Sequence, residues 1–345
     1  MKVLTYSARV HDQEFFNQAN QGVHQIDYTE ARLEKQTAIL ARDYPAICCF
    51  VQDDLSAPVL ERLRRGDTRL ITLRATGFNN VDIEAASRLN FTVMRVTSYS
   101  PYSVAEFAVG LVLALNRKIH RAYLRVRDGN FSINGLLGFD MHGKTAGVVG
   151  TGKIGRCLIS ILKGFGMKVL AHDPRPDQEY AQETGISYTS LENIYKESDI
   201  ISLHCPLSRE TEYMISAAAI QQMKTGVMLI NTSRGKLVDT HALINGLKSG
   251  KIGSAGLDVY EEESEYFFED KSLELIADDI LARLLTFSNV LMTSHQAFFT
   301  NEALRNIAQT TLNNFKEFFD GGYLKNEICY QCDKTCRKKE NKRCF

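Results

Sequence analysis

The chain has 345 residues, 44% of them hydrophobic and 24% charged, which excludes a disordered polymer and allows two ordinary cores. Lysine plus arginine and aspartate plus glutamate both number 41, so the formal charge is zero and no bulk attraction to nucleic acid or an anionic membrane is expected. No apolar run is long enough to span a bilayer, and the first residues enter a strand pattern without the apolar stretch of a signal peptide, so a cytoplasmic protein is expected.

In chain order, short β-branched runs alternate with helical periodicities, the mark of α/β layers built on parallel sheets. The early strands are predicted over residues 2–7, 47–51, 69–75 and 91–96, with a helix over 81–89. After Ser100-Pro101 comes a long apolar helix pattern, 104–119, which must be buried on most sides and suits a seam between domains. A second series follows: strand 145–149, helix 154–165, strand 168–173, then strands 199–205, 227–232, 254–259 and 290–294. A final helix, 301–319, is expected to return to the opening domain, so that the second series is inserted into the first.

Cys48, Cys49, Cys157 and Cys205 lie in apolar elements and read as reduced core thiols. Cys329, Cys332, Cys336 and Cys344 crowd a basic tail that resembles no common zinc finger. A solvated tail is the first reading there; a redox-sensitive thiol cluster and a metal site are the alternatives, and no metal is assigned.

The strand ending at Val149 runs into Gly150-Thr151-Gly152-Lys153-Ile154-Gly155, and a helix leaves it. Gly150 permits the bend, Gly152 admits a pyrophosphate to the backbone, and Gly155 lets helix and strand pack closely. Amides at the helix start favour the phosphates. Asp173 ends the next strand near the roughly 20-residue spacing expected of the carboxylate that binds the adenosine ribose. It would repel a 2′-phosphate, so NAD is expected over NADP, with Arg175 as a partial offset.

Arg234 follows the strand that ends at Thr232, where an arginine can grip a carboxylate with two parallel hydrogen bonds. His295 ends another strand and suits proton exchange with a carbonyl oxygen near neutral pH. A carboxylate from Glu261-Glu262-Glu263 would fix its tautomer and favour its protonated form. Taken singly, each has a blander reading: a surface cation, a structural histidine, a solvated acidic loop.

Together with the glycine turn, His204-Cys205-Pro206-Leu207, Asn231-Thr232-Ser233-Arg234-Gly235, Gly256-Leu257-Asp258-Val259-Tyr260-Glu261 and His295-Gln296-Ala297-Phe298 occur in the order of the D-isomer-specific 2-hydroxyacid dehydrogenases. The chain resembles that family over residues 1 to about 327. Phe78-Asn79-Asn80-Val81-Asp82, Tyr99-Ser100-Pro101 and Phe267-Phe268-Glu269-Asp270-Lys271-Ser272 are most similar to its fermentative D-lactate dehydrogenase branch.

The resemblance implies two doubly wound domains: a flavodoxin-like substrate domain, 1–100 and 297–327, surrounding a Rossmann NAD domain, 101–296, with a tail from 328 and a dimeric assembly. It implies reversible reduction of pyruvate by NADH, with Arg234 on the carboxylate, His295 as acid–base and Glu263, chosen by family spacing, as its partner. Thr76, Gly77, Tyr99 and Phe298 would border the substrate. Lys153, Ile154, Asp173, Cys205, Pro206, Thr211, Thr232, Ser233 and Asp258 would line the cofactor cleft with the three glycines. Phe107, where many relatives carry histidine, and the bulky Tyr102 leave substrate size open. A relative acting on larger keto acids and an NAD-sensing binding protein are the alternatives.

Overall fold

The strand patterns close into two sheets in which every strand pairing is parallel. The structure, a computed structural model, describes residues 1–262 and 266–328. Glu263 and the four tail cysteines therefore lie outside the described residues.

The first sheet takes β1 (Lys2–Thr5), β2 (Gln25–Tyr28), β3 (Ala46–Cys49), β4 (Leu70–Leu73) and β5 (Thr92–Arg95) in the order β2-β1-β3-β4-β5. Its inner strands are apolar on both faces because helices cover both. Leu4, Ile47, Ile71 and Val93 pack on Leu60 of α2 (Ala57–Leu63) and Ala85 of α3 (Ile83–Arg88). Val3, Ala46, Cys48, Leu70 and Met94 pack on Phe16 of α1 (Val10–Asn20) and on Leu312 and Phe315 of the last helix, Asn301–Phe319. The last helix thus belongs with the opening strands.

The inserted segment begins with α4 (Pro101–Arg117) and α5 (Ile119–Arg127), then β6 (Thr145–Val149), α6 (Lys153–Gly164) and β7 (Lys168–His172). Next come α7 (Gln178–Thr184), β8 (Ser187–Tyr188), α8 (Leu191–Glu197), β9 (Ile200–Leu203), α9 (Ala217–Gln222) and β10 (Val227–Asn231). It closes with α10 (Thr240–Lys248), β11 (Ile252–Leu257), α11 (Asp279–Leu285) and β12 (Val290–Met292). The sheet order β12-β11-β10-β9-β6-β7-β8 is the doubly wound dinucleotide topology, extended by one strand. One face packs on α4 and α6 through Val148, Ala171 and Ile230; the other packs on α8, α9 and α10 through Leu203, Leu229 and Leu257. Helix starts are set locally, as where Asp239, Asp278 and Thr300 accept an amide from the first turn.

Contacts divide the chain into Met1–Ser100 with the chain from Phe299 onward, and Pro101–Phe298. The boundary expected at 296/297 falls after Phe298, because Gln296 and Ala297 give their amides to Asp258 in the inserted unit. Ile328, expected in the tail, is buried and donates its amide to Val93. The strand expected over 2–7 stops at Thr5, since Ser7 turns left-handed at φ 50°. Lys118, also at φ 50°, breaks the helix expected over 104–119. Phe107 packs half-buried into the core beside α6, whereas Tyr102 is 57% exposed.

Candidate active site

The glycine turn is built by exclusion. Gly150 has φ 95°, and a Cβ there would come within 2.7 Å of the backbone of His204 and Cys205. A Cβ on Gly155 would collide with the Gly150 carbonyl. Gly152 differs: a Cβ there meets nothing within 4 Å. It caps α6 with no side-chain hydrogen bond, so the helix start presents Lys153 and Ile154 amides beside open space.

Asp173, just past β7, is tied to this turn. Its carboxylate accepts the Thr151 amide at 2.8 Å, the Thr151 hydroxyl at 3.0 Å and the Arg175 amide at 2.9 Å. Partial burial opposes its charge, but these donors outweigh that and hold the carboxyl below its usual range. Tyr188 of β8 donates to the Thr151 hydroxyl at 2.9 Å, which extends the network. Arg175 itself is exposed.

Past β9, Cys205 gives its thiol to Met214 Sδ at 3.6 Å, and burial pushes that thiol up to about 11. It serves as a packing group. Pro206 accepts the Thr211 hydroxyl at 2.7 Å, which closes the loop. Ser233 donates to the Cys205 carbonyl at 2.7 Å. The Thr232 hydroxyl is buried with no partner, an orphan a ligand polar group would satisfy.

Arg234 stands on a turn clamped by Asn231, whose side chain donates to the Arg234 carbonyl at 2.9 Å and accepts the Ser233 amide at 3.0 Å. Gly235 must lack a side chain because the Tyr260–Glu261 backbone lies against it. The Arg234 guanidinium donates to the Ser233 carbonyl at 2.6 Å through Nη1, which engages one of its five N–H donors.

His295 follows β12 in the left-handed region, φ 54°. Its amide donates to the Asp258 carbonyl at 2.8 Å, and its ring lies 6.0 Å from that of Phe268. The wholly buried Asp258 carboxylate accepts the Thr293 hydroxyl at 2.6 Å and the amides of Gln296 and Ala297 at 2.9 and 2.8 Å. Burial pushes its carboxyl up against the pull of these donors and of His295. Asp258, expected to line the cofactor cleft, braces the histidine loop through these bonds. Arg234 and His295 thus stand at the ends of β10 and β12, on either side of β11. Glu261 is committed elsewhere, accepting both the amide and hydroxyl of Thr240 and the Tyr213 hydroxyl. Glu262 is exposed. Phe298 is half-buried beside the anchored Ala297.

In the first unit the expected substrate contacts follow β4 and β5. The Thr76 carbonyl accepts from Arg95 at 2.7 Å, and Gly77 follows it, half-buried. The Tyr99 carbonyl accepts from Asn306 at 2.6 Å, which ties its segment to α12, the Asn301–Phe319 helix. Arg74, Asp53 and Ser7 form a buried polar cluster beside them that the sequence did not signal.

Residues 109–297 match the D-isomer specific 2-hydroxyacid dehydrogenase, NAD binding domain family. The chain belongs to that family. It is 50% identical to the D-lactate dehydrogenase of Escherichia coli over 95% of this chain and 100% of that one. The structure of the pyruvate reductase of Chlamydomonas reinhardtii superposes with a TM-score of 0.90 at 43% identity, covering 94% and 98% of the two chains. The NAD-complexed D-isomer specific 2-hydroxyacid dehydrogenase of Lactobacillus delbrueckii superposes at 0.77 and 30% identity, covering 95% and 100%.

As a family member the chain is an NAD-binding oxidoreductase. The turn fits the cofactor: a bend open only at Gly152, an uncapped helix start, a carboxylate held ionised beside it and an unpaired buried hydroxyl at Thr232. Asp173 is unsuited to a 2′-phosphate.

Proposed function

We propose that this chain is a D-lactate dehydrogenase that reduces pyruvate with NADH, using Arg234, His295 and Glu263. The carrying observation is that two separate buried clamps, Asn231 under Arg234 and Asp258 under His295, hold an arginine and a histidine at the ends of the two strands that flank β11. The half-identity to a D-lactate dehydrogenase along its whole length supports pyruvate as the substrate.

NADH held along the glycine turn would supply hydride chemistry at the keto carbon. Arg234 binds the carboxylate by two parallel hydrogen bonds and stabilises negative charge on the keto oxygen. Protonated His295 gives its ring proton to that oxygen. Glu263, chosen by family spacing, is assigned as the partner of His295, a role in which a carboxylate fixes the imidazole tautomer. The unit from Met1 to Ser100 with α12 is assigned as the substrate domain, and Thr76, Gly77, Tyr99 and Phe298 are assigned to substrate binding. Lys153, Ile154, Cys205, Pro206, Thr211, Thr232 and Ser233 line the cofactor with the glycine turn. Asp258 is assigned to the same cleft and braces the histidine loop.

The working form we assign is a cytoplasmic homodimer. Its four described inner cysteines are free, which suits a reducing compartment. No described helix is long and apolar enough to cross a membrane. Tyr123, Leu124 and Val126 of α5 are over half exposed, and Phe131, Ile133 and Leu137 beyond it are 76–88% exposed. Such a face suits a second copy, and sedimentation at micromolar chain would read a monomer if it does not.

The deciding experiment compares pyruvate, 2-ketoisocaproate and phenylpyruvate with NADH, with chiral analysis of the product. D-lactate formed fastest from pyruvate is expected. A clear preference for a bulky acid overturns the substrate, and NAD binding without turnover on any keto acid overturns the enzyme.

A further inference from the structure

Two residues of the inserted unit adopt left-handed backbone and bring their rings together. His295 has φ 54° and Phe268 φ 66°. Their ring centres lie 6.0 Å apart, with the planes tilted by 34°. A bulky aromatic is a poor occupant of that backbone region, so the flanking chain must impose it.

Two independent supports do so. Beneath His295, the Asp258 carbonyl accepts the histidine amide at 2.8 Å. On the Phe268 side, Asp278 straps the segment that leaves β11. One of its carboxylate oxygens accepts the Tyr260 hydroxyl at 2.6 Å, and the other accepts the Ile280 and Leu281 amides at 2.8 and 3.0 Å. The Asp278 amide in turn donates to the Tyr266 hydroxyl at 3.0 Å. Phe267 is buried in the core that includes Leu281 and Leu284 of α11, and Phe268 packs half-buried at its edge.

Backbone bracing alone does not orient an imidazole. The torsion that turns a histidine ring is broad, whereas a proton donor must hold its nitrogen at a set place beside the keto oxygen. A flat ring at aromatic-pair distance narrows that torsion. Core packing does not call for a second phenyl ring here, because Phe267 already fills the interior. A left-handed phenylalanine is also a cost that glycine or asparagine would relieve.

We propose that Phe268 is a positioning residue for His295, its ring holding the imidazole in the orientation from which the proton is given. This inference rests on the reading of His295 as the acid–base of keto-acid reduction.

The test uses the full chain with Phe268→Leu, Phe268→Met and Phe268→Tyr. Leucine and methionine keep apolar bulk and the same backbone cost but lose the ring; tyrosine keeps it. Pyruvate kinetics, NADH affinity by fluorescence, melting curves and NMR of histidine-ring-labelled protein are measured on each. The His295 signal is identified by its loss in His295→Asn. In both ring-free variants kcat should fall about tenfold, with pyruvate KM and NADH affinity changed less than about twofold. The His295 signal should move in both, since the neighbouring ring current is gone. Phe268→Tyr should restore kcat to within about twofold of the wild type.

An unmoved kcat or an unmoved His295 signal in the ring-free variants overturns the inference. Equal losses in Phe268→Tyr and Phe268→Leu overturn it too, because the ring is then not the cause. A wild-type chain that turns over no keto acid overturns the functional reading and the inference together.

Discussion

Asp258 and His295 form a closed unit in which one residue braces the other from both sides. The backbone carbonyl of Asp258 takes the His295 amide at 2.8 Å, while its carboxylate takes the amides of the two residues that follow. The left-handed φ of His295 is therefore imposed by a buried acceptor at the end of β11. Asp258→Asn replaces one acceptor oxygen with a donor that faces an amide or hydroxyl donor. We expect a stability loss of about 1–3 kcal/mol in urea denaturation, the usual cost of a buried unsatisfied donor. Pyruvate kcat should fall together with it. Unchanged stability and turnover would show that the 293–297 loop holds itself.

Gly150, Gly152 and Gly155 separate folding from binding. Gly150→Ala and Gly155→Ala place a methyl against backbone, and Gly150 is also at φ 95°, so both should unfold at markedly lower temperature. Gly152→Ala meets open space at an ordinary φ of −67°. Its melting temperature should stay within about 2 °C of the wild type, because a surface change away from strain is nearly neutral. Its NADH affinity should drop at least about tenfold, since the methyl occupies the space of the pyrophosphate. Calorimetry and fluorescence titration on the same samples check both halves.

The contrast among these residues marks what the sequence makes legible. The glycine turn, Arg234 and His295 are readable because their chemistry is local, a bend or a strand end with its neighbours in the chain. The bracing by Asp258 is not legible, since its partners are more than thirty residues away in the chain. Arg74 reads as a strand-end cation; its burial depends on Tyr6, Ser7, Asp12 and Phe50, brought together only by the sheet order. The edge strand β2 has no apolar run because only one side of it is paired and none of its residues is fully buried. The long helix pattern gave no warning of its break, as nothing in the type of Lys118 announces a left-handed residue.

Asp173 links cofactor choice to acid stability. Its folded-state carboxyl is held below the usual range, so it contributes stability above the unfolded value of about 3.9 and loses it as pH falls through the folded one. Asp173→Asn should therefore be less stable than the wild type near neutral pH, and the gap in urea midpoint should hold down to about pH 4 and narrow as pH falls below it. The same variant should bind NADH less well and discriminate less against NADPH. A gap that widens on acidification would mean that the donors from Thr151 and Arg175 do not favour the charged form.

Glu261 and Glu263 should fail in different ways. Glu261 holds the start of α10 through Thr240 and reaches Tyr213, so Glu261→Gln should lower the melting temperature and leave the shape of the pH–rate profile alone. Glu263→Gln should instead move the alkaline limit of pyruvate reduction to lower pH. A carboxylate beside the imidazole favours its protonated form, and reduction needs that proton; the amide removes the charge and keeps the size. The shift should be accompanied by a fall in kcat with little change in NADH affinity. Profiles of kcat/KM for both variants, measured against their melting curves, decide the assignment. If Glu261→Gln moves the alkaline limit and Glu263→Gln does not, the partner of His295 is the wrong member of the acidic run.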